Sequence, residues 1–409
     1  MGLLVRVFRL VWGSEVDRAL RPVLAVQLAG SLAGGCVAPF LGIWAIKHLD
    51  AGQPAVGVVY LIGAVVAAGS GYFGGHLSDH WGRRRLILAG WVLSAFMPLA
   101  ALAVGARELP GLVVLAILPS LGAIGGSADT AMVADLVPPA RHEAAYAAVR
   151  VASNFGVTLG PVIGGLLLAL AGWNALFIGV TVLAANAVLL AWRYVPRGGA
   201  YAPEAPPEKG RARAILRDRP FLVYVAAGTL ASFVYVAYET VLPISLVVSH
   251  GLSNATWGFL VCVNPAIVTV FQLRLTRATE RWSPALKLGI ALPLMGLPFL
   301  LLSVTAAIPA VVLVIVIFVV GEMLWIPTSQ SVVARLAPDD LRGAYMGAFG
   351  ISWSVSWALG PFLGLQVHAA AGDLATWTMF AAMSLVAGSV GAVAATGATR
   401  SRRASLAAA

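Results

Sequence analysis

Four charged residues stand inside long apolar stretches: Asp129, Arg150, Glu239 and Glu322. A charge at the centre of an apolar helix costs about 2.5–3.5 kcal/mol even on a lenient scale, so such residues face a cavity or a partner. Asp129 lies six residues inside Asp135, and Arg150 lies seven inside Glu143. At a rise of about 1.5 Å per residue both sit roughly 10 Å deep, and equal depth on adjacent antiparallel helices predicts that they pair. Such a pair can gate a pathway or simply steady a bundle. Glu239 and Glu322 differ, because every Lys and Arg of the second half sits at the other end of its helix. Each is a candidate for carrying a proton or meeting a cationic substrate. A neutral Glu bonded to a backbone carbonyl is the plain structural alternative.

Aromatic residues gather at the same places: Tyr235 and Tyr238 beside Glu239, Trp325 one turn from Glu322, and Trp353 and Trp357 four apart. They could form a wall for hydrophobic or cationic solutes, or serve helix packing. Gln27 and Asn154 are further polar candidates in the first half. Cys36, Cys262 and the six His residues show no metal-ligand spacing, so no metal and no cofactor is expected. No G-x-x-x-x-G-K-[ST] stretch is present, which argues against a nucleotide-driven pump. The polar residues inside apolar stretches give no nucleophile with a base, so an enzyme is not expected.

The elements that position these residues follow from composition. Of 409 residues 60% are hydrophobic and 11% charged, against about half and a quarter in soluble domains. Twelve apolar stretches are each long enough to span a bilayer as a helix: 22–46, 54–76, 86–105, 110–134, 144–171, 173–193, 220–249, 253–273, 286–305, 309–334, 343–369 and 374–397. With the amino terminus inside, all but Lys47 and Arg107 of the 27 Lys and Arg fall in the cytoplasmic segments or the cytoplasmic ends of the spans beside them. The positive-inside rule then puts both termini in the cytoplasm. The same placement turns the net charge of +10 into a topology signal and argues against a nucleic-acid partner. Residues 3–12 read as a short interfacial helix, and no cleavable signal peptide is expected. The excess of Arg over Lys, with abundant Ala, Gly and Val, reads as a GC-rich bacterial genome and an inner-membrane protein.

The chain also repeats itself. Pro138, Leu159, Gly160-Pro161 and Gly164 match Pro338, Leu359, Gly360-Pro361 and Gly364 at an offset of 200 residues. The expected organisation is a cytoplasmic segment 1–21, a six-helix bundle 22–193, a Pro- and Gly-rich linker 194–218, a second bundle 219–397 and a tail 398–409. Such duplication is the architecture of secondary transporters, with a site near the midplane.

The loop after the second span reads Gly75-His76-Leu77-Ser78-Asp79-His80-Trp81-Gly82-Arg83-Arg84-Arg85. It resembles the G-x-L-[AS]-D-x-x-G-[RK]-[RK] signature of the major facilitator superfamily. The fifth span carries Gly156, Gly160-Pro161, Gly164 and Gly165, similar to the antiporter motif of the drug/proton exporter branch. The resemblance implies an all-α polytopic fold of twelve transmembrane helices in two pseudo-symmetric six-helix bundles. It implies a monomeric secondary active transporter that works by alternating access, with a small-molecule substrate, protons and membrane lipids as partners. The implied activity is export of amphipathic or cationic compounds by proton antiport. It further implies a cytoplasmic gate of Gly75, Asp79, Gly82, Arg83 and Arg84, with Asp79 at the start of span eleven near Arg342 and Arg83 on Asp135. The glycines of span five, like Gly360-Pro361 and Gly364, are read as packing residues. Unlike that branch, span four holds no Lys or Arg and span one no Asp or Glu. Coupling then runs through Glu239, Glu322 or the Asp129 and Arg150 pair. The competing readings are a facilitator or symporter for a neutral metabolite such as a sugar or amino acid, and a nontransporting membrane sensor.

Overall fold

The computed structural model describes residues 19–138, 141–196, 215–338 and 341–408. Helix is the only regular structure among them, as a chain must be when its backbone groups have no water to bond. Ten helices are long and apolar enough to cross a membrane. The first four are α1 (Arg21–His48), α2 (Gln53–Trp81), α3 (Arg83–Val104) and α4 (Glu108–Leu136). After the first repeat come α7 (Arg219–Ser249), α8 (Asn254–Ala278), α9 (Pro284–Ser303) and α10 (Ile308–Leu336).

The remaining two runs, His142–Tyr194 and Arg342–Ala408, are too long for one crossing at 53 and 67 residues. Each turns at a glycine with nearly the same conformation, Gly172 at φ 73°, ψ −169° and Gly372 at φ 69°, ψ −168°. A side chain at that positive φ would be strained, so glycine is the residue that makes the turn. Gly172 divides α5 from α6 and Gly372 divides α11 from α12, a division consistent with the twelve expected segments. The two glycines stand 200 residues apart, so the sequence repeat extends to backbone conformation. Helix starts follow local rules. Pro22, Pro220, Pro284 and Pro309 occupy first turns, where a missing N–H costs nothing. Asp218 and Ser283 cap α7 and α9 by accepting from the N–H groups of Phe221 and Leu286 at 3.1 and 3.2 Å.

The chain forms two compact units. The first is Met1–Asp50, Ile62–Ala205 and Asn254–Phe259; the second is Ala51–Leu61, Pro206–Ser253 and Leu260–Ala409. The first turns of α2 therefore belong with the later helices, and the first turns of α8 with the earlier ones. The expected interfacial helix at 3–12 and most of the linker 194–218 lie outside the described residues.

Within the first unit α5 lies against α1 with backbone on backbone. A Cβ on Gly156 would sit 2.6 Å from the Leu32 nitrogen, and one on Gly160 2.6 Å from that of Cys36. A Cβ on Gly164 would overlap the Cys36 carbonyl. Gly165 points elsewhere, towards Gly258, whose Cα would lie 3.3 Å from an added Cβ. In the second unit the equivalent glycines meet side chains instead, Gly360 with Val236 at 3.3 Å and Gly364 with Val241 at 2.6 Å. Backbone cannot yield as a side chain can. Gly160→Val should therefore lower the midpoint of thermal unfolding of the purified protein, by a destabilisation of about 1–3 kcal/mol. Gly360→Val should cost clearly less, and equal losses in the two variants would refute this account of the packing.

Candidate functional site

In the second unit Glu322, near the middle of α10, is 8% exposed. Its Oε2 accepts a hydrogen bond from Asn264 Nδ2 at 2.7 Å. Asn264 is itself buried, two residues beyond Cys262, where the helical run of α8 is interrupted. Glu239 on α7 is half-buried and within Coulombic reach of Glu322. The hydroxyl of Tyr60 on α2 lies in the same field of Glu239. Beside Glu239 the buried Tyr238 hydroxyl lies near the Asn264 amide but forms no hydrogen bond of ordinary geometry. Among the described residues neither glutamate is in an ion pair. Two carboxyls, an amide and two phenols thus share one interior region, with no basic residue paired to either carboxyl among the described residues.

Next to it Tyr235, Trp325 and Trp353 form a three-ring cluster. The Tyr235 ring centre lies 4.9 Å from that of Trp353 and 6.4 Å from that of Trp325, and the two indoles are 6.1 Å apart. Tyr238 stacks on Phe318 at 4.4 Å, and Phe318 lies 6.2 Å from Tyr235, so the two groups of rings are joined. Trp357 makes no ring contact among the described residues.

In the first unit a cavity of about 320 Å³ is lined by Gln27, Trp91, Ser94, Asp129, Thr130 and Tyr146, with smaller residues between them. The expected pair of Asp129 with Arg150 is not formed. Val149 lines the cavity whereas Arg150, one residue on, is exposed. A step of one residue turns the helix by about 100°, so two residues at equal depth can point in unrelated directions. Among the described residues Asp129 has neither an ion pair nor a hydrogen bond. Gln27 Nε2 donates to Ser153 Oγ at 2.8 Å and to Ser31 Oγ at 3.3 Å, which joins α1 to α5 at the cavity wall. Asn154 is exposed and lies away from it.

At the arginine-rich end of the same unit Arg83 Nε bonds Asp135 Oδ2 at 2.9 Å, and its Nη1 donates to Ser78 Oγ at 2.9 Å. Arg84 donates to the carbonyl of Trp192. Gly82, at φ 88°, is the link between α2 and α3. The side chain of Asp79, position Gly75 and the side chain of Arg342 lie outside the described residues.

Sequence reasoning missed Asn264 and Tyr60. Asn264 could have been found as an amide inside an apolar span. Tyr60 could not, because nothing in the sequence says that the start of α2 packs with the later helices.

This arrangement of two repeats with buried, unpaired carboxyls coincides with a match of residues 23–361 to the family model of the Major Facilitator Superfamily. The chain belongs to that superfamily. Among superfamily relatives, a Na(+), Li(+), K(+)/H(+) antiporter of Planococcus maritimus is 22% identical, with 84% of this chain and 88% of the relative covered. The multidrug resistance protein MdtH of Proteus mirabilis is 27% identical, over 79% and 80% of the two chains. A crystal structure of a POT family transporter in complex with 5-aminolevulinic acid superposes with a TM-score of 0.78 at 16% identity, covering 95% of this chain and 98% of that one. The superfamily member described here is a multi-pass membrane transporter and not an enzyme.

The Arg83 and Asp135 contact is partly buried, with side chains 15% and 12% exposed. A double-mutant cycle of Arg83→Ala and Asp135→Ala on thermal stability should give a coupling of about 1–2 kcal/mol. Additive single losses would show that the two side chains are independent.

Proposed function

We propose that the protein is a secondary active transporter that exports small amphipathic or cationic compounds by proton antiport. The reading rests on one observation above the others, the half-buried Glu239 and the buried Glu322 within Coulombic reach of each other and without a basic partner among the described residues. One turn along the same helices from the carboxyls, Tyr235 and Trp325 join Trp353 in a cluster that offers apolar area and ring faces to an organic cation. The named activities of the antiporter and MdtH relatives agree with this reading. The family fold supplies alternating access, so the site faces each side in turn. The distribution of Lys and Arg supports an orientation with both termini in the cytoplasm of a bacterium and with Gly172 and Gly372 at the outer face. Arg83 on Asp135, with Asp79 four residues before Arg83 and with Arg342 at the start of α11 as the family resemblance suggests, is the proposed cytoplasmic gate. The protein acts as a monomer in this scheme, with lipids as its surroundings.

The orientation is tested by single cysteines at Val304 and Leu374, which are 84% and 65% exposed. A membrane-impermeant maleimide added outside intact cells should label both, and labelling only after the cytoplasmic face is opened would invert the topology. Coupling is tested in liposomes with a panel of organic cations and an imposed pH gradient. Wild type should accumulate substrate against its gradient, whereas Glu322→Gln, a mimic of the protonated carboxyl, should bind but no longer respond to the pH difference. For a permanently charged substrate Glu322→Gln should also weaken binding about tenfold or more, the equivalent of one lost charge contact. Unchanged rate, affinity and pH dependence in Glu239→Gln, Glu322→Gln and the double variant would refute the assignment.

A further inference from the structure

The second unit holds a polar cluster that its repeat partner lacks. At the Gly372 turn Asp373 Oδ1 accepts from Ser245 Oγ at 2.8 Å and lies 2.9 Å from His368 Nε2, while Oδ2 lies 2.7 Å from His250 Nε2. Two hundred residues earlier, at the matching Gly172 turn, His368 and Asp373 are replaced by Leu168 and Trp173. The turn itself therefore needs neither group.

The other nitrogen of His368 makes a second contact. Nδ1 lies 2.6 Å from Oε1 of Gln53, at the start of α2. Gln366 Nε2 donates to the Pro54 carbonyl at 3.3 Å, and Gly57 admits the α11 backbone so closely that a Cβ there would lie 3.2 Å from Phe362 Cα. His368, 6% exposed, is the polar bridge between the end of α11, the turn and the start of α2.

Both of its partners present oxygen. A neutral imidazole carries one N–H and an imidazolium carries two, so only the doubly protonated ring donates to both. Burial pushes the Asp373 pKa up, but hydrogen bonds from Ser245, His250 and His368 outweigh it and hold this carboxyl below its ordinary value. A depressed carboxyl contributes fully above its free pKa of about 3.9 and is lost only below it, so Asp373 stays ionised between pH 5 and 8. The titratable groups facing the bridge are His368 from α11, His250 from the end of α7 and Asp373 from the turn. The start of α2 brings the Gln53 amide and the Pro54 carbonyl. Asp50, in the link before it, has no hydrogen bond or ion pair among the described residues, and Tyr60 lies further along α2 in the field of Glu239. His250 is a third exposed, which opens the cluster to water.

We infer that His368 is a proton-binding site separate from Glu239 and Glu322, and that the proton it takes up clamps the start of α2 onto the end of α11. With the proposed orientation, on which this placement rests, the site faces outward and a low external pH holds the clamp shut.

The test uses the full chain in lipid nanodiscs with Cys36 and Cys262 changed to Ser and spin labels on Gly52→Cys and Leu374→Cys. The population of the shorter label distance should dominate at pH 5.5 and fall at least threefold by pH 8.5. His368→Gln, folded by its thermal unfolding midpoint, should show no pH dependence over that range. Gln53→Glu should raise the midpoint of the transition by about one pH unit, because a carboxylate favours the imidazolium. The same transition should persist in the Glu239→Gln/Glu322→Gln variant, so the outcome is independent of the coupling assignment. A wild-type population flat with pH would overturn the inference, since a Gln53 amide turned to donate serves a neutral His368 equally well. A transition that survives His368→Gln would overturn it too.

Discussion

Between helices surrounded by lipid the hydrophobic effect contributes little, because lipid tails are as apolar as leucine. Cohesion has to come from close contact. In the first unit it comes from the ridge of Gly156, Gly160 and Gly164, which brings the α5 backbone onto that of α1. The same constraint sorts the polar side chains. Most hydroxyls in the spans bond the carbonyl one turn back, as Ser94 does to Gly90, Ser153 to Val149, Thr240 to Val236 and Ser356 to Ser352. Ser153 also accepts from Gln27 and Ser356 also reaches the Thr229 carbonyl of a neighbouring helix, whereas Ser94 and Thr240 are satisfied within their own helix. Asp129, Glu239 and Glu322 cannot be satisfied that way, since a carboxylate has no proton to give to a carbonyl.

What was legible in the sequence is what depends on one dimension. The long apolar segments and the repeat follow from hydropathy and an offset of 200 residues, which are distances along the chain, whereas the Arg83 contact with Asp135 is expected only from the resemblance of the signature loop. The Asp129 and Arg150 pairing failed because depth is one coordinate and rotation about the helix axis is another. Val149 reaches the cavity and Arg150 does not. The environment of Glu239 was half legible. Tyr238 is its neighbour in sequence, but Tyr60 comes to it only because Ala51–Leu61 packs with the later helices. No periodicity in one span reports which unit its first turns will join.

The repeat supplies a frame and the departures from it carry the chemistry. Gly172 and Gly372 make the same turn, yet one is followed by Trp173 and the other by Asp373. Gly160 and Gly360 mark the same helix pair, yet the first meets backbone and the second meets side chains. A backbone-to-backbone contact is hard to shift by small amounts, whereas side chains change rotamer at low cost. The first unit holds one carboxyl beside a cavity, and the second holds two within reach of each other. A duplicated bundle that keeps its geometry and loses its chemical symmetry can give one unit the rigid part and the other the titrating part.

Two carboxyls within Coulombic reach in an apolar setting also constrain how transport would be coupled. With both ionised they repel, and a single positive charge relieves most of that repulsion. A proton supplies that charge through a covalent O–H bond to Glu239 or Glu322. An organic cation supplies it through space, with Tyr235, Trp325 and Trp353 burying its apolar part. Once either occupant is present, the other gains little from the site. In the proposed cycle exchange therefore needs no signal passed between distant sites, because proton and substrate compete for one charge deficit. A ligand shifts a conformational equilibrium only by its differential affinity for the two states. If neutralising the pair is what permits the change of facing, proton and cation license it equally, one in each direction, and the doubly ionised site stays where it is.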